Sequence, residues 1–300
     1  MIYLPIKFVK TIKDVHKEKG EKWLLEFQEL IHECEERWHL KIMPPFDLSY
    51  NFVAPAIRND GLEVVIKLTV PSEEFLSEVE ALVLFNDHGM VRIVDVDRIK
   101  GVLLLERLKP GTTLASLENN EEAAYIASQV MKKLWSPAPK SVHIPHIKER
   151  GKSLDKIYKD NPEGLGPITK EMLQEATENF RELAETQTEP FLLHGDLHHY
   201  NILRTGTDSW LAIDPKGLIG EREYDVIQFL LNKLPDDQIT EVIEKRIDIF
   251  VKELNLDKNR ILLYGFSHAV LATCWSIQDS GTWDEGFFKA IYVFKDLRSY

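Results

Sequence analysis

The chain has 300 residues, 44% hydrophobic and 29% charged, which is typical of a soluble globular protein and excludes a disordered chain. The formal net charge of -12 argues against nucleic acid or an anionic membrane as a partner, because both bind through clustered Lys and Arg. A cationic ligand would suit this charge, although an acidic surplus by itself usually serves only solubility.

The first hundred residues predict a β-rich lobe. Apolar residues three and four positions apart between Glu21 and Trp38 predict an amphipathic helix. The runs LSYNFVAPAIR and LEVVIKLTV predict two strands joined by the turn Asn59-Asp60-Gly61. A helix with Ser72 as its N-cap and Gly89 at its end follows, and VRIVDVD and GVLLLERL predict two further strands.

From Leu114 onward the pattern is mostly helical. Four helices are predicted, in the runs EEAAYIASQVMKKLW, KEMLQEATENFRELAET, DDQITEVIEKRIDIFVKEL and ILLYGFSHAVLATCWSIQ. A short strand, loop and strand, FLLHGDLHHYNILRTGTDSWLAID, lies between the second and the third. A β-rich lobe followed by a helical lobe predicts an α+β fold of two packed lobes, which we divide into residues 1–108 and 109–300.

The segment FLLHGDLHHYNILRTGTDSWLAID forms a second predicted hairpin. Three of its polar residues have a spacing suited to phosphoryl transfer. Asp196 and Asn201 are five positions apart, and Asp214 follows thirteen positions later, after an apolar run. Phosphoryl transfer requires a carboxylate that accepts the proton of the attacking hydroxyl, and oxygen ligands for the Mg²⁺ that bridges the phosphates. The spacing matches the kinase catalytic pattern. We therefore predict Asp196 as the catalytic base and Asn201 and Asp214 as metal ligands.

A lysine on LEVVIKLTV, the second predicted strand of the β-rich lobe, completes this pattern. Lys67, at the end of the run VVIK, occupies the place of the lysine that pairs with phosphates in kinases. It requires an acidic partner, because an unpaired buried charge is costly. Glu78 and Glu80 on the following helix are the candidates, and Glu78 is preferred because it shares a helical face with Leu82 and Phe85.

Two motifs resemble a known family. HGDLHHYNIL followed by AIDPKGLIGEREYD resembles the catalytic and metal-binding motifs of aminoglycoside phosphotransferases, in particular the streptomycin 6-phosphotransferase and hydroxyurea phosphotransferase family. EKWLLEFQELIHECEERWHL, SYNFVAPAIRNDGLEVVIKL, LLLERLKPGTTL and ATCWSIQD resemble the same family in order. The resemblance implies a bilobal protein-kinase-like fold and a small-molecule kinase. Such an enzyme would transfer the γ-phosphate of ATP or GTP, with Mg²⁺, to a hydroxyl of an aminoglycoside or of hydroxyurea.

The resemblance also implies where the nucleotide binds. Its contacts would come from Lys67, Glu78, Ser49, Glu106, Leu108, Leu203 and Ile213. The loop from Ser49 to Phe52 would cover the phosphates. The Glu106 carbonyl and the Leu108 amide would hydrogen-bond adenine at the hinge between the lobes, while Leu203 and Ile213 pack beneath it. The loop lacks the glycine-rich form of protein kinases, and Pro-Lys-Gly follows the metal-binding aspartate instead of Phe-Gly, which argues against a protein substrate.

The resemblance makes Asp225 a structural aspartate that braces the catalytic loop. The histidines around Asp196 raise a metallohydrolase as an alternative. That fold also requires an Asp-x-His on an earlier strand and a later Asn-His pair, and neither is present. We expect His194 to brace the loop and His199 to contact phosphate or substrate.

Acidic and aromatic residues near the C-terminus are candidates for binding a cationic substrate by charge pairing and cation–π contact. They are Trp275, Asp279, Trp283, Asp284 and Glu285. The alternative is a core tryptophan and a solvated turn.

Other functions stay open: a housekeeping kinase of a metabolite alcohol, or a nucleotide-binding module without catalysis. Cys34 and Cys274 lie in apolar stretches and predict neither a disulfide framework nor a cysteine metal site. The N-terminal residues lack the apolar run of a signal peptide. We expect a cytoplasmic protein that is a monomer or a weak dimer.

Overall fold

The computed structural model describes residues 2–140 and 143–298. Its helices are α1 (Ile6–Arg37), α2 (Glu73–Phe85), α3 (Asn120–Leu134), α4 (Lys148–Asp160), α5 (Lys170–Thr186), α6 (Arg222–Asp225), α7 (Ile227–Leu231), α8 (Ile239–Leu254), α9 (Lys258–Ser280) and α10 (Glu285–Leu297). Its strands are β1 (Leu40–Ile42), β2 (Phe52–Arg58), β3 (Glu63–Leu68), β4 (Ile93–Asp97), β5 (Val102–Glu106), β6 (Pro110–Thr113), β7 (Ser136–Pro137), β8 (Gly164–Leu165), β9 (Ile168–Thr169), β10 (Phe191–Leu193), β11 (Ile202–Thr205), β12 (Ser209–Ala212) and β13 (Leu218–Gly220).

The N-terminal part is built on a five-stranded antiparallel sheet with the order β1-β2-β3-β5-β4. Side chains along β2 alternate between buried and more exposed, as expected of a strand with one face on a core. The long helix α1 packs on this core, where Phe27 meets Phe52 edge-on with ring centroids 5.1 Å apart. The predicted hairpin is confirmed, because β2 and β3 pair from Phe52 opposite Leu68 to Ile57 opposite Glu63.

Helix α1 is longer than predicted and reverses direction within its range. Lys17 has non-helical backbone angles, with φ 51° and ψ -131°, and Phe8 packs on Trp23 with ring centroids 6.5 Å apart. A Cβ added at Gly20 would lie 2.4 Å from the Ile12 carbonyl oxygen, so the close approach of the two arms requires glycine. Only Phe8 and Ile12 of the first arm are buried, so its apolar stripe is too narrow for periodicity to reveal a helix.

The C-terminal part is helical, and the four predicted helices are confirmed as α3, α5, α8 and α9. Four others, α4, α6, α7 and α10, were not predicted. Only Leu154 and Ile157 of the 13 residues of α4 are buried, so its apolar stripe is too narrow to recognise. Helix α10 begins after Asp284, whose side chain caps it by accepting a hydrogen bond from the Phe287 amide at 2.9 Å.

Two small sheets lie at the boundary between the β-rich and helical parts. β10 pairs with β13 and β7, and β11 pairs with β12 and β6. The β-rich first part and the helical second part confirm the predicted α+β class. The division after residue 108, which falls between β5 and β6, stays a prediction.

Within the described residues, α9 is long and apolar enough to cross a membrane by length and composition alone. However, 67% of its most apolar window is buried inside the protein. Such burial is typical of the core helix of a soluble protein.

Candidate active site

The loop between β10 and β11, residues 194–201, is held in place by a buried aspartate. The carboxylate of Asp225 accepts hydrogen bonds from the backbone amides of His194 at 3.0 Å and Gly195 at 2.7 Å, and from the Trp135 indole at 2.9 Å. Asp225 is 1% exposed, so these donors replace its hydration. The shape of the loop therefore depends on a residue about thirty positions away.

His194 ties this loop to the segment after β12. Its Nδ1 accepts a hydrogen bond from the Asp196 amide at 3.2 Å, so its Nε2 carries the proton and donates to the Ile213 carbonyl at 2.9 Å. Burial lowers the pKa of His194 to about 4, which keeps the ring neutral near pH 7. The two bonds place Asp196 beside the residue that precedes Asp214.

The pairing of β11 with β12 brings Asn201 next to the residue that precedes Asp214. The Asn201 side-chain amide donates to the Asp196 carbonyl at 3.0 Å, which leaves its Oδ1 without a hydrogen-bond partner among the described residues. The Ile213 amide donates to the Asn201 carbonyl at 2.9 Å. Asp214 lies in the left-handed region with φ 60°, and its side chain is 46% exposed. An amide oxygen and a half-exposed carboxylate form a donor set that fits Mg²⁺.

The described residues contain no cluster of three or more His, Cys, Asp or Glu that could hold a metal. Mg²⁺ is usually held by one or two carboxylates together with waters and substrate phosphates. Asn201 and Asp214 are the residues that would hold it.

Lys67, on β3, connects the N-terminal sheet to the hairpin formed by β11 and β12. Its ammonium is 2.6 Å from the Glu78 carboxylate on α2 and also contacts the Asp214 carboxylate. Glu80, the other candidate partner, instead accepts a hydrogen bond from the His143 amide at 3.1 Å. The choice between the two glutamates that the sequence left open is therefore decided for Glu78.

The charges of Lys67 and Asp214 stabilise each other, whereas burial raises the pKa of Glu78 to about 7. Burial alone would lower the pKa of Lys67, but the carboxylates of Glu78 and Asp214 outweigh burial and raise that pKa. Burial likewise opposes ionisation of Asp214, yet the ammonium of Lys67 lowers the pKa of Asp214 to about 2. Lys67 is thus a permanent cation beside a permanent anion.

Asp196 differs from Asp214, because no cation forms an ion pair with it among the described residues. Burial raises the pKa of Asp196 to about 7, and the nearby charge of Lys216 opposes this rise. Lys216 itself contacts Glu74 at the start of α2. A carboxyl group with a pKa near neutrality is well suited to accept a proton from a hydroxyl at physiological pH.

Three of the four residues expected around adenine belong to one apolar core or pack against it. Leu108 is buried, and its backbone amide donates to no carbonyl of the described residues. Leu203 and Ile213 are partly buried against the same core as Leu108. The Glu106 amide donates to the Arg92 carbonyl at 3.0 Å. Their contacts with a nucleotide stay a prediction.

The loop that contains Ser49 precedes β2 and is exposed. Because the first residue of β2 pairs with Leu68, this loop leads into the sheet at the end that carries Lys67. The position is compatible with a loop over the phosphates, and that role also stays a prediction.

The expectation that His199 contacts phosphate or substrate is wrong, because its ring lies in the core. His199 is 1% exposed, stacks on Phe229 with ring centroids 3.9 Å apart, and bonds through Nδ1 to the Asn232 side chain at 3.0 Å. Burial, with the charge of Arg246 nearby, lowers the pKa of His199 to about 3. His199 therefore packs between the loop of residues 194–201 and the core.

The acidic residues near the C-terminus do not form the expected wall with Trp275. Asp284 caps α10, Glu285 accepts a hydrogen bond from the Trp283 indole at 3.1 Å, and both are exposed. Asp279 is exposed near the end of α9. The solvated turn proposed as the alternative describes them better, and Trp275 instead packs against the cation of Arg150.

Two charged residues near Asp196 were missed from the sequence. Lys216 lies within the motif AIDPKGL, so the signal was present but was interpreted only as a departure from protein kinases. Arg150 lies on α4, which was not predicted, so no sequence signal placed it near Asp196.

Replacing Asp225 by Asn tests the bracing of the loop. We expect Asp225→Asn to lower the free energy of unfolding by about 3 kcal/mol, because an amide accepts poorly from three donors and adds buried N–H groups of its own. Urea denaturation measures this change. Asp236→Asn, at an exposed position, is the matched control. Equal stability of the two variants would contradict the bracing role.

Known proteins with similar sequences identify the family of this chain. A model of the family described as aminoglycoside/hydroxyurea antibiotic resistance kinase matches residues 37–280, well over half of the chain. The chain belongs to this family. It is similar to a streptomycin 6-kinase of Streptomyces glaucescens, with 28% identity over 93% of this chain and 92% of the relative. It is also similar to a hydroxyurea phosphotransferase of Kitasatospora aureofaciens, with 30% identity over 83% and 73%.

A solved structure supports the fold of this family member. An amicoumacin kinase in complex with AMP-PNP and Ca²⁺ matches with a TM-score of 0.65 and 17% identity, covering 94% of this chain and 96% of that one. The fold is therefore protein-kinase-like, as the motifs predicted. As a member of a kinase family, the protein is a phosphotransferase.

Proposed function

We propose that this kinase transfers the γ-phosphate of ATP or GTP to a hydroxyl group of a small molecule, with Mg²⁺ as the metal. The observation that carries the proposal is the contact of Lys67 with both Glu78 and Asp214, which joins the N-terminal sheet to the hairpin containing Asp196. A phosphate-pairing lysine, a metal-binding aspartate and a carboxyl group with a raised pKa are the parts that phosphoryl transfer requires.

In the proposed reaction, Asp196 orients the acceptor hydroxyl and accepts its proton. The acceptor oxygen then forms a bond to the γ-phosphorus, while the bond to the bridging oxygen breaks and the nucleoside diphosphate leaves. When bound, Mg²⁺ neutralises charge that develops on the phosphates. Asn201 and Asp214 would hold it, and Lys67 would pair with the α- and β-phosphates.

The nucleotide would lie between the two parts of the fold, with residues 1–108 contributing the phosphate contacts. Adenine would bond the Glu106 carbonyl and the Leu108 amide, above Leu203 and Ile213, with the Ser49 loop over the phosphates. The unpaired Leu108 amide supports this position, because a buried donor without a partner is costly. We also propose that the enzyme acts in the cytoplasm.

The acceptor is proposed to be an aminoglycoside such as streptomycin, or hydroxyurea, since relatives at 28% and 30% identity bear those names. A metabolite alcohol is the second candidate. A coupled assay of ADP release against streptomycin, other aminoglycosides, hydroxyurea and simple amino alcohols and sugars tests the proposal. We expect release that depends on both the acceptor and Mg²⁺. Release with a metabolite and with neither antibiotic class would favour a housekeeping kinase, and release with no acceptor would contradict the proposed transfer.

A further inference from the structure

One face of α2 lies against the segment of residues 214–217, which follows β12. Lys67 connects the two through its contacts with Glu78 on α2 and with Asp214 in the segment. The residues of α2 that meet the segment, or share Lys67 with it, are spaced three and four positions apart, as on one helical face: Glu74, Ser77, Glu78 and Ala81. The face that holds the lysine therefore also packs on the segment that carries the proposed metal ligand.

At Gly217 the segment approaches α2 so closely that a side chain would not fit. A Cβ added to Gly217 would lie 2.9 Å from the Cβ of Ala81 and 3.2 Å from the Ser77 carbonyl oxygen. Packed carbon atoms are normally about 3.5 to 4.0 Å apart. Ala81 is fully buried, and the carbonyl belongs to the helix backbone. A side chain at Gly217 would therefore push α2 and the segment apart.

The same segment is bonded to the loop of residues 194–201. The backbone amides of Lys216 and Gly217 both donate to the His194 carbonyl, at 2.9 Å and 3.1 Å. These bonds involve only backbone atoms, so they fix the segment against the loop whatever side chains it carries. The segment thus connects α2 to the loop that contains Asp196.

The ion pair between Lys216 and Glu74 contributes little to this connection. Their side chains are 45% and 64% exposed, and exposed ion pairs stabilise weakly because water and salt screen them. Gly217, in contrast, is buried, and its contact involves the backbone of α2. Packing at Gly217 therefore determines how close α2 comes to the segment.

We propose that Gly217 is a positioning residue for phosphoryl transfer, because it lets α2 come close enough for Lys67 and Asp196 to act on the same nucleotide. The inference rests on the proposed function, which assigns Lys67 to the phosphates and Asp196 to the acceptor proton. A side chain at Gly217 would displace Glu78 together with α2, so the Lys67 ammonium would no longer be fixed between Glu78 and Asp214. A misplacement of about 1 Å can lower a rate by about 100-fold.

Gly217→Ala tests the proposal, and Gly206→Ala is its matched control. Both glycines are in the left-handed region, with φ 69° and 59°, so alanine adds a similar backbone strain at each. Gly206 lies in an exposed turn, where an added Cβ meets nothing within 4 Å. We expect Gly217→Ala to lower kcat by roughly 10- to 100-fold and to speed hydrogen exchange of the α2 amides. Gly206→Ala should change neither.

Combining Ala81→Gly with Gly217→Ala gives a test by rescue. Removing the Ala81 Cβ makes room for the one added at Gly217, so we expect the double variant to recover part of kcat and of the slow exchange of α2. Glycine by itself weakens a helix, so the recovery would not come from a more stable α2. The proposal is overturned if Gly217→Ala behaves like Gly206→Ala. It is also overturned if the double variant is no better than Gly217→Ala in folding, exchange and turnover.

Hydrogen exchange is measured without turnover, so it separates this inference from the proposed function. Protection of α2 that is lost in Gly217→Ala and regained in the double variant supports the positioning of α2, even if the wild type releases no ADP with any acceptor. That second result would contradict only the proposed transfer. Equal exchange in the wild type and all three variants, with ADP release intact, would overturn the role of Gly217 and leave the kinase standing.

Discussion

Asp196→Asn is expected to lower kcat by roughly 10²- to 10⁴-fold while leaving nucleotide affinity nearly unchanged. The amide has the size of the carboxyl group but cannot accept the proton of the attacking hydroxyl. The pKa of Asp196, raised by burial to about 7, indicates a group that exchanges a proton near neutral pH. Turnover is measured by ADP release with the best acceptor, and nucleotide affinity by thermal denaturation with AMP-PNP and Mg²⁺.

Asp208→Asn is the matched control for this experiment. Asp208 lies in the exposed turn between β11 and β12, where its side chain is 89% exposed, so the substitution removes the same charge from the same hairpin. We expect its kcat to equal that of the wild type. If Asp196→Asn also turned over at the wild-type rate, Asp196 would not be the base.

Asp214→Asn is expected to abolish the Mg²⁺-dependent part of nucleotide binding and to lower kcat by roughly 10²-fold or more, since metal stabilisation of the transferring charge is worth several kcal/mol. Asn is the appropriate replacement, because Asp214 has φ 60° and Asn tolerates the left-handed region better than Ala. The substitution also removes one of the two carboxylates that contact Lys67.

Thermal denaturation with AMP-PNP, with and without Mg²⁺, measures this effect. The wild type should gain stability from Mg²⁺ in the presence of nucleotide, by about 2.7 kcal/mol when the free nucleotide is 100 times its Kd. Asp214→Asn should lose that gain, whereas Asp208→Asn should keep it. An unchanged response to Mg²⁺ in Asp214→Asn would exclude Asp214 as a metal ligand.

The hairpin residues could be predicted because their chemistry is local. Asp196 and Asn201 precede the short strand β11 and Asp214 follows its partner β12, so their separation along the chain limits their separation in space. The β2–β3 hairpin was predictable for the same reason, because its turn lies between two alternating runs. The position of Lys67 on a strand could be predicted. Which glutamate pairs with it could not, because that depends on how α2 packs against β3.

What depended on contacts between distant elements could not be predicted. His199 seemed available in the motif, yet the chain buries it against Phe229 on α7. Arg150 had no signal because α4 has only two buried residues, so its helical pattern is weak. The acidic turn near α10 stayed open between a binding wall and a solvated turn, because composition does not show which carboxylates act as caps.

The sequence by itself determined the α+β class, the hairpin and the identity of its polar residues, because turn signals, periodicity and short spacings act over a few residues. Only the tertiary structure decided that Glu78 pairs with Lys67 and that Arg150 lies near Asp196. Lys67 and Glu78 are 11 positions apart and Arg150 and Asp196 are 46 apart, so their approach is decided by how the elements that carry them pack together.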